Sequence, residues 1–162
     1  MKFLEFCASW LNRTSGKTNT LEIASVPSAV KNWFWVPVCT FVTSWGIIGN
    51  ASKSNNFAFD NCHNKRILVF NEPVFENSFY EPLKIVMGGS PYSAQAKYKS
   101  MMEIMRTPVL VLCNQSKFPN NSEWKDRIHR MKWQRPPDDG DMNLRLDPRF
   151  FVALLKKYNI VY

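Results

Sequence analysis

Two apolar stretches read as strands: Ile67-Leu68-Val69-Phe70 and Pro108-Val109-Leu110-Val111-Leu112-Cys113. A run with no polar face predicts a strand covered on both sides, as in a parallel sheet. Between them, Phe79–Met87 predicts a helix closed by Gly88-Gly89, and the polar, lysine-bearing stretch Pro91–Met105 predicts a hairpin. Ahead of them, the short apolar run Lys2–Trp10 predicts a first strand. Thr18–Val26 reads as a helix stopped near Pro27, Val36–Ile48 is β-rich in composition, and Gly49–Asn56 is a polar loop. Further on, Glu123–Trp133 is basic and aromatic, and Pro136-Pro137-Asp138-Asp139-Gly140 is a turn signal. Asp147-Pro148 opens a last helix, with Phe150, Phe151, Ala153, Leu154 and Leu155 on its apolar side and Lys156 and Lys157 near its end. Strands alternating with helices predict an α/β layered domain.

Composition narrows the class. The chain has 162 residues and is 45% hydrophobic, enough for one domain with a sizeable core. A formal charge of +8 favours an anionic partner, nucleic acid being the commonest. Cys7, Cys39, Cys62 and Cys113 lie far apart, with no C-x-x-C pair and no histidine couple nearby. That spacing argues against zinc and for free buried thiols. Glu5 interrupts the first apolar run and no small-residue cleavage site follows, so no signal peptide is expected. Trp33–Ile48 is uncharged and apolar, but it is shorter than the roughly 20 residues of a membrane span and contains Pro37 and Gly46. No stable membrane association is expected.

The conspicuous chemical motif is Gly16-Lys17-Thr18, within Asn12–Asn19. It reads as the second half of a phosphate-binding loop. Amides around Thr14, Ser15 and Gly16 would approach a phosphate, Lys17 would reach the β/γ-phosphates, and Thr18 would place its hydroxyl on Mg²⁺. Asn19 would close the loop. The full pattern G-x-x-x-x-G-K-[ST] wants glycine at position 11, where this chain has Leu11.

Order and spacing add what single motifs do not. After Gly16-Lys17-Thr18 come Asn56-Phe57-Ala58-Phe59-Asp60-Asn61-Cys62, then Ile67-Leu68-Val69-Phe70-Asn71-Glu72-Pro73, an apolar strand with an acid at its end. Gly88-Gly89-Ser90, Ala96-Lys97-Tyr98-Lys99 and Arg106-Thr107-Pro108 through Asn114 follow. In this order the chain resembles the superfamily 3 helicase domain of the parvovirus large nonstructural (replication initiator) protein, from about Trp10 to Arg130. The resemblance implies a P-loop NTPase of AAA+ type, a three-layer α/β fold with a central, mostly parallel sheet and a β-hairpin insertion. It implies ATP and Mg²⁺ as cofactors, single-stranded DNA as partner, assembly into a ring, and the host nucleus as location. It also implies roles: Lys17 and Thr18 on phosphate and Mg²⁺, Glu72 polarising the attacking water and holding Mg²⁺ indirectly, and Asn114 as sensor. Lys97 and Lys99 would hold DNA, and Arg127 would be an arginine finger for a neighbouring subunit.

Three departures from the family pattern stand out. They are Leu11, Asn71 where a second acid is usual, and an overlong span before Asn56, which predicts an insertion over 28–45 in a core of residues 1–135. Residues 136–162 would be the loop and helix that complete the domain. The family's nuclease and oligomerisation segments are not in this sequence, so it reads as a fragment, with a degenerate endogenised viral copy as the hypothesis. The readings left open are an ATP-dependent helicase domain, a remnant that binds nucleic acid without turnover, and a membrane-associated protein using Trp33–Ile48.

Overall fold

The computed structural model describes residues 2–27, 29–53, 55–98, 100–135 and 146–160. Five parallel strands form one sheet: β1 (Thr20–Ser25), β2 (Trp45–Ile47), β3 (Ile67–Asn71), β6 (Val109–Cys113) and β7 (Ile128–Trp133), in the order β2-β3-β6-β1-β7. β6 lies between β3 and β1, with Phe70 level with Val111 and Val111 level with Glu22. β4 (Tyr92–Ala94) and β5 (Met102–Ile104) form a separate antiparallel hairpin between β3 and β6.

Two apolar layers cover the sheet. On one face α1 (Lys2–Leu11), α2 (Lys31–Phe41) and α5 (Phe150–Lys157) pack on Leu21, Ile23, Ile67, Val69, Leu110 and Leu112. On the other, α3 (Tyr80–Met87), α4 (Ser122–Lys125), the hairpin and Ile48, Ala51, Ala58, Phe59 and Cys62 pack on Leu68, Phe70, Val109, Val111 and Cys113. Successive residues of β3 and β6 therefore feed opposite layers, so both strands must be apolar throughout. This is the three-layer α/β architecture with a parallel central sheet and a hairpin insertion that the family resemblance implied.

The first fifty residues differ from the sequence reading. Lys2–Trp10 is helical: Leu4, Cys7 and Ala8 follow the 3, 4 spacing of one helix face and are buried with Trp10. Thr18–Val26 is not a helix; its residues supply β1, whose Leu21 and Ile23 point to one layer and Glu22 to the other. Val36–Ile48 is not one β-rich run: α2 takes residues 31–41 with Pro37 inside, and β2 follows. Trp35, Val38 and Cys39 of α2, within the segment expected to be an insertion, are core residues. The helix over 79–87, the hairpin, both long strands and the last helix form as expected. The turn signal at 136–140 lies outside the described residues. Among the described residues, no helix is long and apolar enough to cross a membrane.

Buried polar groups pin the ends of β1. Asn19 is fully buried; its amide donates to the carbonyls of Thr107 at 2.7 Å and Val86 at 3.3 Å, and its own backbone carbonyl accepts from Trp10 Nε1 at 2.9 Å. Glu22, also buried, accepts from Ser116 Oγ at 2.8 Å and pairs with Arg130 Nε at 3.4 Å. Burial pushes its carboxyl up; the Ser116 hydrogen bond and the Arg130 charge oppose that. All four cysteines are buried and unpaired, and burial pushes the thiols of Cys39, Cys62 and Cys113 up to about 12.

Candidate functional site at the carboxyl edge of the sheet

In an open parallel sheet, ligands are bound beyond the carboxyl ends of the strands, where connections leave in opposite directions. Here the chain leaves β1 toward β2 on one side and leaves β6 toward β7 on the other. Three side chains meet at that edge. Lys31 opens α2 just after β1, Glu72 follows β3, and Asn114 follows β6. Lys31 Nζ donates to Asn114 Oδ1 at 2.8 Å and pairs with Glu72 Oε1 at 3.2 Å. The Asn114 N–H donates to Glu72 Oε2 at 3.3 Å.

Register explains the meeting of the last two. Asn71 of β3 is level with Leu112 of β6, so Glu72 and Asn114 both leave the sheet at the same edge. The Glu72 N–H extends the ladder to Leu112 O at 2.7 Å, and its φ of 45° turns the chain away there. Lys31 comes from across β6. The turn after β1 ends on Val30, whose φ of 54° is the left-handed conformation, and α2 starts at the next residue. A β-branched residue is rarely held there, and such strain concentrates where a backbone is shaped for a purpose. The Lys31 side chain is 10% exposed, against 48% for Glu72.

The residues of the Gly16-Lys17-Thr18 motif lie elsewhere. They precede β1, so they sit at its amino end. Thr20 is level with Val109 and Ala24 with Cys113, so four residues of strand, roughly 13 Å, separate the two edges. Lys17 Nζ pairs with Asp126 at 3.3 Å, and Thr18 Oγ1 donates to Asp126 O at 3.0 Å. The expectation that Lys17 and Thr18 face Glu72 is therefore corrected by topology: a phosphate loop must leave the carboxyl end of its strand, and this loop enters the amino end. Thr14 hydrogen-bonds back to Ser9, Gly16 O accepts from Arg106, and Asn19 is a core residue. Leu11 closes α1 and occupies no loop position.

Arg127 also precedes its strand, β7. Its Nε donates to Lys84 O at 3.0 Å and its Nη1 to Glu123 O, so it ties α3 to α4 within the chain. Lys97 lies in the turn between β4 and β5, its N–H donating to Asp60 Oδ1 at 3.1 Å and its ammonium standing 5.4 Å from the Tyr98 ring. The expectation of Lys97 and Lys99 on one strand face fails for Lys97, which is in the turn; Lys99 lies outside the described residues. Tyr98 is 93% exposed.

Sequence reasoning missed Lys31. Its spacing is that of the G-x-x-x-x-G-K-[ST] pattern, with Ser25, Val30 and Asn32 in place of the two glycines and the hydroxyl residue. The signal was a lysine six residues past a strand, a weak cue without either glycine.

A five-stranded parallel sheet of this order, with a hairpin inserted ahead of its central strand and a lysine, a carboxylate and an asparagine converging at its carboxyl edge, defines a three-layer α/β domain with a candidate ligand site at that edge. Solved structures agree on the fold. JCV helicase bound to a thiazolopyridinyl-phenoxyphenyl acetamide gives a TM-score of 0.65 at 10% identity over 84% of this chain and 41% of that one. The apo C-terminal region of NrS-1 gives 0.62 at 13% identity over 96% and 39%. The family model for the parvovirus non-structural protein NS1 matches residues 2–116, and the chain belongs to that family. It is 37% identical to the initiator protein NS1 of Junonia coenia densovirus over its whole length and 36% identical to that of Diatraea saccharalis densovirus. It spans 30% of the length of each of these relatives.

Proposed function

We propose that this chain is the nucleotide-dependent motor domain of a parvovirus-type replication helicase, acting on single-stranded DNA. The observation that carries the reading is the convergence of Lys31 on Glu72 and Asn114, at 3.2 and 2.8 Å, beyond the carboxyl ends of three neighbouring strands. A nearly buried ammonium beside the N-terminus of an eleven-residue helix is a fitting seat for a triphosphate.

The fit to the two implied cofactors differs. For ATP the anion-binding parts are present: Lys31, the left-handed turn at Val30 and the opening N–H groups of α2. For Mg²⁺ the set is thinner, because Asn32 stands at the hydroxyl position and Asn71 is neutral, leaving Glu72 as the carboxylate. ATP with Mg²⁺ would supply the phosphoryl-transfer chemistry. In that role Lys31 would exchange its contact with Glu72 for phosphate oxygens. The freed Glu72 carboxylate would orient and polarise a water, and Asn114, bonded to the same lysine, would report whether the phosphate is present. Lys97 and Tyr98, exposed at the hairpin turn, offer a phosphate contact and a stacking face for DNA, with Lys99 in the same role. Ring assembly and a nuclear location follow from the family reading. Arg127 is bound within its own chain, so a role as finger would require it to let go of Lys84 and Glu123.

One observation favours a second reading, a domain that binds nucleic acid without turnover. Valine in the left-handed conformation and serine at position 25 replace the residues that let a loop wrap phosphate closely. Steady-state ATP hydrolysis with single-stranded DNA decides between the two. Turnover that disappears in Lys31→Ala supports the motor. DNA binding with no turnover in the unaltered chain supports the second reading and removes the first.

A further inference from the structure

The amino edge of the sheet, opposite the Lys31 site, carries a second cluster that the motor reading leaves unused. Arg13, Arg66 and Arg106 come from three segments, the loop after α1, the residue before β3, and the link from β5 to β6. Arg106 Nε donates to Arg13 O at 3.2 Å and Arg13 Nη2 to Lys65 O at 3.3 Å, so the three positions are held together. Arg106 also lies against Gly89, where a Cβ would stand 2.6 Å from Nη1, and donates to Gly16 O. Among the described residues, none of the three has a carboxylate partner, and the exposed Arg66 guanidinium has no hydrogen bond. Two polar atoms are buried and unpartnered here: Arg13 Nε and Ser15 Oγ. Burial and the neighbouring charges of Arg66 and Arg106 hold the Arg13 guanidinium below the usual arginine range.

Three like charges gathered together, two of them fixed by backbone carbonyls, are costly unless an anion neutralises them. Carbonyls of Lys65, Arg13 and Gly16 take the inward donors, leaving the outward guanidinium edges and Arg66 free for oxygen ligands. The cluster is also continuous with the hairpin. Arg106 lies two residues past β5, and His63 Nδ1 sits 2.8 Å from Glu103 O on that strand. A strand of nucleic acid lying on the Lys97–Tyr98 turn would run toward this cluster along the hairpin.

We propose that Arg13, Arg66 and Arg106 form a binding site for backbone phosphate of single-stranded nucleic acid at the foot of the hairpin. This rests on the DNA-binding part of the motor reading, not on its hydrolysis. The site is a positioning clamp, indifferent to base sequence, because guanidinium–phosphate contacts carry no base readout.

The test is fluorescence anisotropy of labelled oligo-dT with the whole chain, across a salt series. Arg66→Gln is the informative variant, since its side chain makes no hydrogen bond or ion pair within the fold; a melting temperature that does not fall checks that. It should weaken binding roughly tenfold at low salt, the size of one charge-assisted hydrogen bond. It should also lower the slope of log affinity against log salt by about 0.7 for each phosphate no longer neutralised. Arg66→Lys should recover most of the affinity, and oligo-dA should give the same pattern. Arg66→Gln with unchanged affinity and slope, while Lys97→Ala still weakens binding, overturns the clamp and leaves the DNA reading intact. No binding of oligo-dT by the unaltered chain overturns both. A change in oligomeric state without a change in DNA affinity overturns the clamp in favour of a contact between protein chains.

Discussion

Replacing Lys31 and Lys17 separately tests where the phosphate loop is. Lys31→Ala deletes an ammonium that is 10% exposed and bonded at 2.8 and 3.2 Å to Asn114 and Glu72. When nucleotide is bound, the same ammonium would hold a phosphate oxygen. A charge-assisted hydrogen bond of that kind contributes about 1.5–3 kcal/mol, so ATP affinity should fall roughly 10- to 150-fold. The fold should survive, because the Glu72 left behind is half exposed and water can solvate it. Lys17→Ala deletes an ion pair to Asp126 whose two side chains are 56% and 58% exposed. Such pairs contribute about 0–1 kcal/mol, screened further by salt, and nucleotide affinity should stay within about twofold. Titration calorimetry with ATP and Mg²⁺ on both variants reads the difference directly. Loss of affinity in Lys17→Ala with Lys31→Ala unaffected would refute the assignment, since no rearrangement short of unfolding moves Lys17 to the other edge of β1.

Other outcomes follow from the same contacts. Val30→Gly should relieve a left-handed valine at about 1–2 kcal/mol while loosening the unfolded chain by about 0.5–1. The net should raise Tm by about 2–4 °C and tighten ATP binding; a lower Tm would show that the valine side chain packs usefully. Asn19→Ala removes two buried hydrogen bonds to Val86 and Thr107 and should cost about 1–3 kcal/mol in urea unfolding, without a specific effect on nucleotide affinity in the folded fraction. Leu11→Gly should leave ATP affinity unchanged in the same calorimetric titration. Burial holds the His129 imidazole, stacked on Phe6 at 4.0 Å, below its ordinary range. The unfolded chain then binds the proton first, so this contribution is complete above about pH 6.5 and is lost as pH falls through that value toward the folded pKa. His129→Phe should therefore show a smaller fall in Tm than the unaltered chain between about pH 7.5 and pH 5.5, and an equal fall would contradict it.

The middle of this protein is legible in its residues alone. Ile67–Phe70 and Val109–Cys113 have no polar face and are short and β-branched, which a strand covered on both sides satisfies, so β3, β6 and the parallel sheet could be read from them. Glu72 and Asn114 each follow the last residue of such a strand, and it was the family resemblance that singled them out. The first fifty residues were not legible. The mostly apolar residues 2–11 suit a helix or a strand equally until α1 is seen packing on Leu21 and Ile23. Aromatic and β-branched residues around Pro37 carry strand propensity, yet burial of Trp35, Val38 and Cys39 on one face makes them a helix. Which lysine stands at the site was settled by strand pairing and not by motif quality. Gly16-Lys17-Thr18 is the better motif, but a motif does not say which end of a strand it occupies. Lys31 has Ser25 and Val30 where the motif wants glycine, and it reaches Glu72 and Asn114 because parallel pairing of β1, β6 and β3 brings their carboxyl ends to one edge.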